Sequence, residues 1–123
     1  MRTRVELLVW IGVLGAPAAW AVEHVLGYGL TEATCDPAGR QFGVPFKTWI
    51  AILTSVTALV AVGALVASVL AFRAVRDSDP DTDPPPGRIW LMSVCGIVTS
   101  PLFLAIILLS GIGALVLGTC HQG

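Results

Sequence analysis

Few residues in this chain could do chemistry, and two of them are neighbours. Glu23 and His24 interrupt an apolar run extending roughly from Leu7 to Leu30. Ionisable groups inside such a run are costly in hydrocarbon, which makes them functional candidates. Three readings fit them. His24 could supply an axial nitrogen to a haem or a chlorophyll-type pigment. Glu23 could relay protons or hold a cation, which in so short a chain implies a small oligomeric transporter. Or both lie near the lipid headgroups, hydrogen-bonded to a loop or to a partner subunit. Adjacent helical positions point about 100° apart, so the two side chains do not face one partner. A haem between helices usually takes two axial ligands, and the one other histidine, His121, stands near the C-terminus. The third reading leads.

The elements that would carry these residues follow from composition. Of 123 residues, 55% are hydrophobic and 12% charged, against about 25% charged in soluble domains. Mean hydropathy is +0.84. A net charge of −1 gives no basic footprint for nucleic acid. Charge-free stretches run from Thr48 to Phe72 and from Ile89 to Thr119. About 20 apolar helical residues cross a bilayer core, so each stretch can span it, as can the run holding Glu23. The expected fold is one all-α membrane domain over 1–123, with three transmembrane helices, up-down-up, at about 7–30, 48–72 and 89–117. The third stretch is longer than needed and should tilt, kink near Pro101 or project beyond the membrane. A signal peptide competes for the first span, with Arg2 and Arg4 as its basic region and Ala19-Trp20-Ala21 as its cleavage site. Glu6 at the head of the apolar run argues for a retained helix.

Orientation follows from Lys and Arg. Arg2, Arg4, Arg73, Arg76 and Arg88 gather on one side, against Arg40 and Lys47 on the other. The N-terminus and the 73–88 loop are therefore expected inside, with the 31–47 loop and the C-terminus outside. Trp10, Phe72 and Trp90 then fall near the inner headgroups, and Tyr28, Phe46 and Trp49 near the outer ones, as an aromatic belt requires. The same orientation puts Cys35 and Cys120 in an oxidising space. A Cys35–Cys120 disulfide is expected, worth about 2–4 kcal/mol. A rarer outcome joins Cys35, Asp36, Cys120 and His121 in a copper site. Cys95, inside the third span, reads as a small buried apolar residue.

Small residues recur four apart: Gly12/Ala16 and Gly15/Ala19, then Gly63/Ala67/Ala71, then Ser110/Ala114/Gly118. Such rows let helix backbones approach closely in lipid. They serve either the bundle itself or a larger partner. The 73–88 loop, with Asp77, Asp79, Asp81, Asp83 and Pro84-Pro85-Pro86, cannot bury a core and reads as a solvated linker.

The segment from Leu14 to Val22, which reads LGAPAAWAV, followed by Leu26-Gly27-Tyr28 and Cys35, resembles a group of small bacterial membrane proteins. Their genes tend to lie beside those for haem–copper (cytochrome c) oxidase subunits and assembly factors. The group's first helix looks like G-P-x-A-W-x-x-H, and its last helix ends in an apolar-to-cysteine tail, here Leu115 to Cys120. Glu23 stands where the group's histidine is expected, with His24 one residue later. The resemblance implies an accessory oxidase-associated subunit and supplies no chemistry.

No catalytic constellation is present in the sequence: no Ser/His/Asp set, no paired carboxylates, no phosphate-binding glycine loop. The expected function is a non-catalytic accessory subunit of a larger electron-transfer complex in the bacterial cytoplasmic membrane, most simply a respiratory haem–copper oxidase. Its expected partners are the other subunits and lipid. A cofactor subunit using His24 and a transporter using Glu23 are the alternatives.

Overall fold

The computed structural model describes residues 2–34, 45–77 and 86–117. These form α1 (Arg2–Thr34), α2 (Phe46–Val75) and α3 (Pro86–Val116). Each contains a window long and apolar enough to cross a membrane. At 1.5 Å per residue, 30 residues make a helix of about 45 Å, half as long again as a 30 Å hydrocarbon core. The helices therefore tilt or project past the core. α1 exceeds its expected bounds of 7–30 at both ends. Arg4 and Glu32 are good helix formers whose long side chains reach water from a helix end.

Prolines punctuate two of the helix starts. Pro45 precedes α2 and its carbonyl accepts the Trp49 amide at 3.1 Å. Pro86 is the first residue of α3, where a missing N–H costs nothing and the fixed φ suits a helix. Pro17 and Pro101 instead lie inside α1 and α3, which continue through them. Membrane helices tolerate this because neighbouring groups re-satisfy the freed backbone.

The helices meet along rows of small residues. The buried row is Val9, Gly12, Ala16, Ala19, Glu23 on α1 and Thr57, Ala61, Ala64, Ser68, Ala71 on α2. On α3 it is Ser93, Gly96, Ser100, Ile107, Gly111. Steps of three and four, with one of seven from Ser100 to Ile107, give the 3.5-residue repeat of coiled-coil-like contact. With lipid as apolar as the side chains, close backbone approach and dispersion hold the seam together. Gly12 of α1 and Gly96 of α3 both lie so close to Ser68 that a Cβ on either would overlap its hydroxyl. The Ser68 hydroxyl donates to the Ala64 carbonyl at 3.0 Å. Ser100 donates across the bundle to the Gly12 carbonyl at 3.4 Å. On one side of this pinch lie Val9, Ala71 and Ile89; on the other lie Ala16, Ala19, Ala61, Ala64 and Ile107. Contacts that rise in α1 number fall in α2 and rise again in α3, so α2 runs antiparallel to the other two.

Three expectations about faces change. On α3 the expected Ser110 is exposed and its neighbour Gly111 sits in the seam instead. Cys95 is exposed on the outer surface of α3, not buried. It precedes Gly96, whose backbone faces the seam, and one helical step turns the thiol toward lipid. On α2 the expected row Gly63/Ala67/Ala71 is only partly right. Ala67 and Ala71 are buried, whereas Gly63 has open space around it. Ala64 and Ser68 make the contacts in its place.

Candidate functional site

Toward the end formed by the α1 C-terminus, the α2 N-terminus and the α3 C-terminus, the seam opens. A cavity of about 180 Å³ lies there, lined by Glu23, His24, Gly27, Tyr28 and Thr31 of α1, Ile50 and Thr54 of α2, and Ser110, Gly111 and Ala114 of α3. It exists because the seam residues here are small. Gly27 meets nothing within 4 Å of where a Cβ would stand, so its missing side chain leaves space. Gly111 lets α3 come against the Thr54 side chain.

Glu23 occupies a seam position of the kind that valine, glycine and alanine fill elsewhere on α1. Its residue is 6% exposed. The Thr54 hydroxyl donates to Glu23 Oε1 at 3.1 Å, joining α2 to α1. The midpoint of α1 is residue 18. Five residues further on, Glu23 is about 8 Å along the axis from that midpoint. A helix centred in the bilayer thus holds this carboxyl at hydrocarbon depth.

His24 stands at the rim of the same cavity. It is exposed on the outside of the bundle, and its ring stacks on Trp20 with centroids 5.5 Å apart and planes 26° from parallel. Trp20 in turn meets Phe103 at 5.8 Å. The imidazole is thereby held against α1 beside the cavity mouth. The 100° divergence expected of adjacent positions is realised as one residue in the seam and one on the surface.

Thr54, Ser110 and Thr31 belong to this site and escaped a search for ionisable residues, because a hydroxyl interrupts neither the charge pattern nor the hydropathy of a span. Their signal was position. Thr31 lies eight residues after Glu23 on α1, and its hydroxyl donates to the Gly27 carbonyl at 2.8 Å. Cys35, Cys120, Asp36 and His121 lie outside the described residues, and with them the disulfide and the copper site. Among the described residues, no three of His, Cys, Asp and Glu come together as a metal ion would need.

No known family, curated protein or solved structure matches the chain. The site's chemistry therefore rests on its own residues.

Proposed function

We propose that this chain is a non-catalytic accessory subunit of a larger membrane electron-transfer complex in the bacterial cytoplasmic membrane, with a respiratory haem–copper oxidase as the first candidate. The observation that supports this is the outward imidazole of His24, stacked on Trp20 on the surface of a membrane-spanning helix. Lipid tails offer its nitrogens no hydrogen bond, and an unsatisfied polar group in hydrocarbon is costly. A neighbouring subunit can offer one. The resemblance of Leu14 to Val22 and of Leu26-Gly27-Tyr28 to oxidase-associated proteins supports this class of complex.

In this reading the N-terminus is inside and the C-terminus outside. The antiparallel packing brings the starts of α1 and α3 and the end of α2 to one end of the bundle, with Arg4, Arg73, Arg76 and Arg88. Lys47 lies at the other. The basic residues thus act together in setting orientation.

Purification of a tagged copy in mild detergent tests the proposal. The expected result is a much larger haem-containing assembly, lost or weakened with His24→Ala. A chain that purifies alone, with no haem absorption, overturns it.

A second reading draws on the same outward ring: His24 as the axial ligand of a haem or chlorophyll-type pigment carried by this chain. Its signature is an absorption spectrum that stays with the isolated chain and disappears in His24→Ala.

A further inference from the structure

We propose that the cavity at Glu23 is a binding site for a small monovalent cation of about sodium size, held by the Glu23 carboxylate together with the hydroxyl oxygens of Thr54 and Ser110. Glu23 is 6% exposed and lines the cavity. Among the described residues it receives one hydrogen bond, from Thr54 to Oε1, and Oε2 receives none. A buried carboxyl with a free oxygen on an open space asks for a positive partner.

Charge and donor type choose the partner. One carboxylate and one monovalent cation make a neutral pair, whereas a divalent ion leaves a net charge in a low-dielectric site. Carboxylate and hydroxyl oxygens are hard ligands that suit hard cations rather than copper or zinc. Thr54 Oγ1 and Glu23 Oε1 are 3.1 Å apart. That is close to the spacing of adjacent oxygens around an ion held at roughly 2.3–2.6 Å. When the Thr54 hydroxyl turns its proton away, both oxygens face one point.

Size argues for an ion over a proton. A proton on Glu23 would need neither a cavity nor a lining of hydroxyls, and near Gly12 and Gly96 the seam closes tightly on Ser68. Here about 180 Å³ is left open. One water takes about 30 Å³ of liquid volume, so an ion with part of its water shell has room.

The test uses the full chain in detergent micelles, melted at constant ionic strength while sodium chloride replaces choline chloride. A ligand that binds only the folded form raises the midpoint in a saturable way. The wild-type midpoint should climb by a few degrees and level off. Glu23→Gln, which removes the charge and keeps the shape, should show no climb. Gly27→Leu, which fills the cavity and leaves the carboxylate in place, should show none either. Sodium NMR line width, broadened by the wild type and not by Glu23→Gln, reads the same event without heating, should a variant melt poorly. A wild-type midpoint indifferent to sodium overturns the proposal. So does an equal rise in Glu23→Gln or Gly27→Leu, and so does a midpoint that follows pH but not sodium.

Discussion

Gly12 of α1 meets the backbone of Ser68 of α2. A Cβ built on Gly12 would stand 3.1 Å from the Ser68 nitrogen and 3.2 Å from its Cα, besides overlapping the hydroxyl. Rotating the serine does not relieve the backbone contacts, so the helices themselves would have to part. Gly12→Val should therefore destabilise the bundle by about 1–3 kcal/mol, the usual cost of overpacking. Gly63→Val, on the same bundle but in open space, should stay within about 0.5 kcal/mol of the wild type. Unfolding in mixed SDS micelles followed by circular dichroism compares the two. Equal effects would mean the seam is not where Gly12 places it.

The Thr54–Glu23 hydrogen bond should be measurable as a coupling. Interhelical hydrogen bonds in membrane proteins average about 0.6 kcal/mol and reach about 1.7 kcal/mol. A double-mutant cycle with Glu23→Gln and Thr54→Val should give a coupling in that range. Additive effects would show the two side chains to be independent.

Sidedness is open to direct labelling. In a variant lacking the native cysteines, Lys47→Cys should react with an impermeant thiol reagent applied from outside the cell. Asp77→Cys, beyond the end of α2, should react only after the membrane is opened. The reverse pattern would invert the proposed orientation.

If the end carrying Lys47 is outside, Cys35 and Cys120 share an oxidising compartment. Intact mass without reduction should then show the loss of two hydrogens, and Cys35→Ser should lower stability by about 2–4 kcal/mol. Two free thiols in protein taken from the native membrane would end the disulfide.

What could be read in the sequence was what lipid dictates. Charge-free windows marked α2 and α3, and the run broken only by Glu23 and His24 marked α1. Helix faces were harder, because a helix apolar all round carries no amphipathic stripe. Hydropathy does not separate Gly63, in open space, from Ala64, which touches Gly15. It ranks the thiol of Cys95 above the hydroxyl of Ser93, whereas Cys95 lies on the outer surface and Ser93 in the seam. Glu23 declared itself by its charge, whereas Thr54 became its partner, and Ser110 part of the same cavity wall, only once α2 and α3 were brought beside α1. Three polar residues on three helices form one site through packing, and one sequence does not record packing directly.

The bond from Thr54 to Glu23 joins residues 31 positions apart, which bears on how the chain is made. During synthesis α1 leaves the ribosome first, with its carboxyl still lacking the hydroxyl that will donate to it. Resting at the headgroups costs such a helix less than committing to hydrocarbon alone. The arrival of α2 supplies the Thr54 donor, which favours entry of the first two helices into the bilayer as a hairpin. The third then closes against a groove already floored with glycine and alanine.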